Sequence, residues 1–340
     1  MKAQVLHRPG EPEQFSYQDW PQPQPGPGEV LVRQHATSVN PADCKIRRNG
    51  SALAPGLPAV LGADVAGEVV ALGPGVGAFA LGDQVFGCAG GVRGMPGSYA
   101  EFIAADVRLL ARRPHSLSLR QAAALPLAGI TAYEGLVDRA RVRAGQRVLV
   151  YGATGGVGHL AVQIAKARGA HVTAVVSTPE KAALARSLGA DEVVLYRAEG
   201  LDGYVERLTD GLGFDLVFDA VGGDNLNLAI QAARPQGQVV TLVARQSYDL
   251  GAAFAKGLSI HILFMLIPML HDLERARHGE ILRELARLAD EGLLAPLLDC
   301  ATFALADLPA AHRRLESGAA LGKVVVDIAL AEPVQATVQV

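Results

Sequence analysis

Arg147-Val-Leu-Val-Tyr-Gly-Ala-Thr-Gly-Gly-Val-Gly-His-Leu-Ala-Val-Gln-Ile-Ala-Lys166 decides the fold. The β-branched run Val148–Tyr151 predicts a strand, the glycines a tight turn, and the apolar stretch Val157–Ala167 a helix. Strand, glycine turn and helix in that order form the layout of a phosphate-cradling dinucleotide site. Gly155 permits close approach of the backbone to a pyrophosphate, and Gly158 lets the helix pack tightly on its strand. The helix N-terminus then offers unpaired N–H groups to anionic oxygens. Ala153 replaces the first glycine of the usual G-x-G-x-x-G, so the bare pattern is imperfect. The plain alternative, a glycine-rich turn that binds nothing, has the matching strand and helix on either side against it.

The same rhythm runs on toward the C-terminus. Val172–Val176, Val193–Tyr196, Leu216–Ala220, Val239–Val243 and Leu258–Phe264 read as strands, with helices such as Glu180–Leu188 between most of them. Apolar strands alternating with helices predict a parallel sheet covered on both faces. Before this region the chain is different. Ala3–Leu6, Gly28–Arg33, Asp64–Ala71 and the turn-fed strand within Gly82–Gly87 are short β-like runs separated by Gly, Pro and Asp. Pro21, Pro23, Pro25 and Pro27 predict an extended connector. Beyond the helix-forming Glu280–Leu288, the strand-like Lys323–Ile328 is expected to return to the first, β-rich region, because few residues remain there to build a core of their own.

Composition sets the outer bounds. A chain of 340 residues, half of them apolar and 19% charged, is a folded protein with room for two domains. A net charge of -3 and the lack of a basic stripe give no reason to expect nucleic acid. Arg47-Arg48 and Arg112-Arg113 read as solvated faces or local ligand contacts. Cys44, Cys88 and Cys300 are too few and too scattered for an extracellular disulfide framework. No secretory apolar core follows Met1-Lys2. The most apolar stretch, Leu258–Leu270, contains His261 and Pro268 and is short for a bilayer span, so it reads as a buried strand followed by a turn. Cytoplasmic residence without a membrane partner is the expectation.

Taken together, Asn40-Pro-Ala-Asp-Cys-Lys-Ile-Arg47, Leu61-Gly-Ala-Asp-Val-Ala-Gly-Glu-Val69, Leu125-Pro-Leu-Ala-Gly-Ile-Thr-Ala-Tyr133, Gly152–Gly158, Phe218-Asp-Ala-Val-Gly-Gly223 and Gly322-Lys-Val-Val-Val-Asp327 carry a closer identification. In order and spacing the chain resembles the medium-chain dehydrogenase/reductase superfamily, specifically its zinc-independent quinone oxidoreductase (zeta-crystallin-like) branch. The resemblance implies an α/β fold: a Rossmann-type doubly wound parallel sheet inserted in a β-rich, GroES-like substrate domain. It places the substrate domain in residues 1–124 and 267–340 and the dinucleotide-binding domain in residues 125–266. It also implies a cleft between them and a homodimer or homotetramer.

NADPH is the expected cofactor. NAD-preferring sites carry an acidic residue after the second strand, whereas Ser177 and Thr178 stand at that strand end here. A carboxylate there would repel a ribose 2′-phosphate; Ser177 and Lys181 offer it a donor and a point charge. Glu180 is the counterargument, and a solvated Lys181 the plain alternative. The resemblance carries further contacts onto Ala153, Thr154, Gly155, Gly156, Val157 and Gly158 around the pyrophosphate. It puts Tyr196 at the adenosine end, Ala220, Val221 and Gly222 near the sugar, and Val243 and Ala244 beside the nicotinamide. Thr131, read as opening the helix that feeds this domain, approaches the nicotinamide or its ribose. For Tyr196 and Thr131, an interface or capping role is the alternative.

Zinc-dependent relatives present Cys, His and an acid or a second Cys to a catalytic metal. In this chain the positions resembling their first two ligand regions hold Asp43 and Asp64, and no Gly-His-Glu sequence replaces the latter. Two carboxylates without imidazole or thiolate match zinc poorly, and lone Cys44 does not supply the rest. Asp43 as a helix cap and Asp64 as a buried hydrogen-bond anchor are the plain readings, and His159 a helix residue. Without a Lewis acid, alcohol oxidation is disfavoured, while quinones and activated enones delocalise the charge that arrives with hydride. The expected activity is therefore NADPH-dependent reduction of a small quinone or related conjugated carbonyl compound. An enone or 2-enoyl thioester reductase is the nearest alternative, and a non-catalytic NADPH-binding sensor or RNA-binding protein the other. Around the acceptor, Asn40, Lys45 and Arg48 are the candidates for orientation and electrostatic stabilisation; satisfying turn carbonyls and surface counterions is their bland alternative.

Overall fold

The computed structural model describes residues 1–50 and 53–328. The end of the C-terminal segment assigned to the substrate domain, 329–340, lies outside the described residues. In chain order, the N-terminal region contains β1 (Glu29–Val39), α1 (Pro41–Asn49) and β2 (Asp64–Leu72). Helix α2 (Pro126–Tyr133) then leads into β3 (Arg147–Tyr151), α3 (Gly158–Ala167), β4 (His171–Val176), α4 (Pro179–Ser187) and β5 (Glu192–Leu195). Strands β6 (Phe214–Asp219), β7 (Ala233–Thr241) and β8 (Ser259–Ile262) come next, then helix α5 (Arg275–Asp290) and strand β9 (Val324–Asp327).

Strands β3 to β8 form one parallel sheet in the order β5-β4-β3-β6-β7-β8. The order reverses between β3 and β6, so the loops leaving their carboxyl ends diverge and open a crevice there. Successive residues of β3 face opposite ways: Val148 and Val150 join one core cluster, Leu149 and Tyr151 the other. Burial on both faces is why its strands read as unbroken apolar runs.

The β-rich region is organised around the eleven-residue β1. Strand β2 pairs along one edge. The other edge is shared: residues 29–33 pair with Phe102–Asp106, and residues 36–39 pair with β9. The C-terminal strand thus does return to the N-terminal sheet, as the Lys323–Ile328 run predicted. One contiguous apolar cluster runs from Val32, Val65 and Phe86 through Leu125 and Ile130 of α2 to Val150, Leu160 and Ile164. Shared burial through α2 joins the sheets.

Two elements differ from the sequence reading. The Leu258–Leu270 stretch is only partly buried: Leu263, Met265, Leu266 and Met269 are enclosed, but β8 is the outer described strand of its sheet, with Ile262 67% exposed. Apolar composition signals a need for cover without naming what covers it. The next element is a short helix, Ile267–His271, not a turn; Pro268 fits in its first turn, where no N–H is required. Strand β7 begins at Ala233, earlier than predicted, because Pro235 and Gly237 mask a strand whose register is irregular opposite Phe214 and Leu216. Among the described residues no helix is long and apolar enough to cross a membrane.

Candidate active site

The glycine turn is built one residue away from where the pattern placed it. Gly152, with φ +69°, takes the left-handed turn that follows β3, while Ala153 is fully buried behind it. A Cβ on Gly158 would lie 2.1 Å from the Gly152 carbonyl oxygen, so only glycine lets α3 seat this closely. Gly155 and Gly156 have more room; the nearest atoms to a Cβ there would be the Gly152 oxygen at 3.2 Å and Lys323 Cδ at 3.3 Å. The turn is anchored from the far end of the chain. Gly322 N–H donates to the Thr154 carbonyl at 2.9 Å. His159 does more than sit in a helix: Nδ1 lies 2.8 Å from the Gly155 carbonyl and Nε2 accepts from Leu297 N–H at 3.0 Å. With Nδ1–H donating, acceptance at Nε2 requires the neutral imidazole, and burial holds this histidine's pKa down at about 4.

On one side of the turn lies a cavity of 510 Å³, lined by Gly152, Thr154, Gly155, Ser177, Lys181, Tyr196 and Val221. Ser177 and Lys181 come from the β4–α4 junction, where Thr178 caps the helix by accepting from Lys181 N–H at 3.4 Å. The exposed Glu180 is held below its ordinary range chiefly by the Thr178 hydroxyl. Glu199, the acid lining this cavity, is neutralised by Arg207 in two contacts of 2.9 and 2.7 Å. Lys181 has no carboxylate partner among the described residues, so a cation and a hydroxyl are left facing the space. Sequence reasoning missed Asn225 and Leu228, which also line it.

On the other side a cavity of 360 Å³ is lined by Lys45, Thr131, Val157, Ala220, Val243 and Ala244 together with Arg245 and the apolar Ile262–Leu266 segment. Thr131 belongs to the second half of α2 rather than its opening, and its hydroxyl donates to the Leu127 carbonyl at 2.6 Å. Gly222 lines neither cavity. It shapes the loop between them: its N–H donates to Asp219 at 2.9 Å, and a Cβ would meet that of Val243 at 2.4 Å. Arg245 could have been suspected from its place after the carboxyl end of β7.

Two of the acceptor-side candidates are elsewhere. Arg48 lies outside that cavity and pairs with Glu316 at 2.9 Å. Arg48 is half exposed, whereas its neighbour Arg47 is fully buried and grips the same carboxylate at 3.0 and 3.1 Å. Asn40 is buried too, at 1% exposure, and does not line that cavity. Its Nδ2 donates to Asp64 at 2.8 Å and its Oδ1 accepts from the Lys323 ammonium, so its amide is turned to the polar network beneath α1.

Asp43 is hydrogen-bonded at one carboxyl oxygen and Asp64 at both. Asp43 accepts from Asn40 N–H at 2.8 Å and Tyr99 O–H at 3.0 Å, and burial lifts its carboxyl to about 7. Asp64 accepts from Leu127 N–H and Asn40 at 2.8 Å each, from the Ser38 hydroxyl, and from Lys323 at 3.3 Å. A buried ammonium therefore occupies the cation position beside Asp64. Cys44 packs 3.3 Å from His312 Nδ1, and burial pushes its thiol up to about 12, far from a ligand-ready thiolate. Among the described residues no three His, Cys, Asp or Glu side chains group in a way that could hold a metal. Lys323 was missed because a lysine before a valine run reads as a surface residue.

Both regions of the chain resemble known proteins. Residues 26–115 match the alcohol dehydrogenase GroES-like domain and residues 156–266 the zinc-binding dehydrogenase family. The chain is 39% identical over 232 residues to a quinone oxidoreductase of Pseudomonas aeruginosa, covering 68% of this chain and 70% of that protein. It is 32% identical over 333 residues to a mycocerosic acid synthase-like polyketide synthase of Mycobacterium tuberculosis, covering 96% of this chain but spanning only 15% of that relative's length. Among solved structures, an alcohol dehydrogenase superfamily protein from Novosphingobium aromaticivorans superposes with a TM-score of 0.92 at 41% identity, over 97% of this chain and all of that one. Escherichia coli quinone oxidoreductase complexed with NADPH superposes with a TM-score of 0.85 at 29% identity, over 96% and 100% of the two chains.

Proposed function

Because this chain belongs to the zinc-independent quinone oxidoreductase branch of the medium-chain dehydrogenase/reductase superfamily, we propose that it is an NADPH-dependent reductase of quinones or related conjugated carbonyl compounds. The observation that carries the reading is the pair of cavities flanking one glycine turn, with a hydroxyl and a cation unpaired among the described residues at one end and an apolar pocket at the other. When bound, NADPH supplies the hydride, which with one proton from water reduces the acceptor by two electrons and leaves NADP⁺.

The chain's own residues do the rest by placement. Gly155 to Val157 leave the backbone open to a pyrophosphate, with His159 and Gly322 fixing the turn from behind. Ser177 and Lys181 hold the 2′-phosphate, and Tyr196 offers a half-exposed ring to the adenosine. Thr131, Ala220, Val243 and Ala244 wall the nicotinamide end, while Val221 borders the sugar. Lys45 extends a cation toward the charge that develops on the acceptor oxygen. The apolar walls exclude water around it.

We further propose a homodimer formed across the exposed edge of β8, with Ile262, Phe264 and Ile267 at its centre, and residence in the cytoplasm. An Ile262→Lys variant that stays dimeric by light scattering would remove that interface.

Turnover is tested by following NADPH consumption with small quinones, enones and enoyl thioesters, with product analysis. NADPH-dependent formation of the hydroquinone or saturated product is expected. Tight NADPH binding without turnover of any acceptor would replace this reading with that of a cofactor sensor.

A further inference from the structure

Reduction of a neutral quinone develops one unit of negative charge in the acceptor cavity. Among the described residues, the cavity is lined by two cations and no acid. Lys45 reaches it from α1 and Arg245 from the loop beyond β7, and every other described lining residue is uncharged. Neither has a carboxylate partner among the described residues. Lys45 stands out on its own helix, since both neighbouring arginines, Arg47 and Arg48, are taken by Glu316. Arg245 stands out in its own loop, where the adjacent Gln246 is tied to Asp224 at 2.7 Å. In a protein of net charge -3, two unneutralised cations over one apolar pocket form a local reversal of sign.

We propose that the acceptor is itself an anion: a conjugated carbonyl compound whose apolar body fills the pocket and whose fixed carboxylate or phosphate is bound by Arg245, leaving Lys45 for the oxygen where charge develops. The proposal rests on the reductase reading above and deepens it. A planar guanidinium suits both oxyanions, because it presents paired donors to two oxygens at once. The low-dielectric wall strengthens the interaction relative to one on open surface, while the exposed mouth keeps it sensitive to salt.

The test uses matched acceptors with one reacting group. A benzoquinone carrying an ω-carboxyalkyl chain is compared with its methyl ester, and a 2-enoyl thioester of 4′-phosphopantetheine with the same acyl group on pantetheine. The first pair isolates a carboxylate and the second a phosphate-bearing carrier. For at least one pair, kcat/KM of the anionic member should exceed that of the neutral one by about tenfold at low ionic strength, the ratio shrinking as salt is raised. Arg245→Gln should bring that ratio close to one while NADPH affinity, measured by fluorescence titration, stays as in the parent protein. Equal turnover of both members of both pairs, or equal losses for both in Arg245→Gln, would overturn the anionic-acceptor proposal and leave the reductase reading standing. No turnover of any member, with NADPH bound, would overturn both.

Discussion

The Lys323 ammonium lies 3.3 Å from the Asp64 carboxylate, and both side chains are sealed from solvent, at 3% and 0% exposure. One belongs to the segment entering the last described strand and the other opens β2, yet they meet beneath the glycine turn through Asn40. The neighbouring Gly322 N–H holds the Thr154 carbonyl. A single polar knot therefore couples the returning strand, the first turn of α1 and the cofactor loop. It also places an internal cation where a relative with a catalytic metal would need an external one.

Removing the cation should be costly. Lys323→Met leaves Asp64 buried with an uncompensated charge, and breaking such a pair costs about 3–5 kcal/mol. Denaturant unfolding should show that loss, and Lys323→Met combined with Asp64→Asn should recover part of it. A single variant as stable as the parent would mean that the other three donors to Asp64 suffice alone.

At the opposite cavity the variant to make is Lys181→Ala. A charge-assisted contact is worth about 1.5–3 kcal/mol, less where water reaches it, so NADPH affinity should fall roughly tenfold or more while NADH affinity barely moves. Isothermal titration with both cofactors decides the matter. Parallel losses for the two would indicate damage to the α4 N-terminus rather than loss of phosphate recognition.

Acid should loosen the fold before carboxylates with ordinary pKa values titrate. Burial holds His159 and His278 at about 4 and His312 at about 3, against about 6.5 when unfolded. Their contribution to stability is complete above the unfolded value and is lost as pH falls toward the folded ones, on the order of 2–3 kcal/mol each. Asp43, raised to about 7, works the other way and gains as pH drops, so it offsets roughly one histidine. The unfolding free energy should therefore begin to decline near pH 6 and fall steadily to pH 4. A flat profile down to pH 4.5 would show that these imidazoles are not held neutral, and the His159 bridge to Leu297 would lose its basis.

The β3–α3 unit was legible because its information is local. Val148–Tyr151, the glycines and the helix period all lie within one short segment, and Gly158 acts as its position implied. The misplacement of the turn by one residue, from Gly152 to Ala153, shows how little side-chain chemistry separates adjacent small residues. Asn40 and Arg48 were misjudged for a longer-range reason. Helical phase could have turned Arg47 inward with Asp43 and Cys44, but nothing near Asn40 announces a lysine from the far end of the chain. The part-exposed β8 has the same origin: its apolar residues were visible, while the lack of a further strand beside it among the described residues is a property of the whole sheet.

Metal removal tests the chemistry most directly. The donor set itself favours metal-free reduction: Asn40 and Tyr99 hold one oxygen of Asp43, four donors that include Lys323 take both oxygens of Asp64, and Cys44 is an inert buried thiol. A zinc ion would have to displace an ammonium to reach two carboxylates that offer it neither imidazole nor thiolate. Protein dialysed against a strong chelator, with residual metal checked by elemental analysis, should reduce a small quinone or enone with NADPH at its original rate. Added zinc should not raise that rate. Activity that disappears on chelation and returns with one equivalent of zinc would mean that the Asp64 network opens in solution to admit a metal, and Lys323 would lose its standing as the site's resident cation.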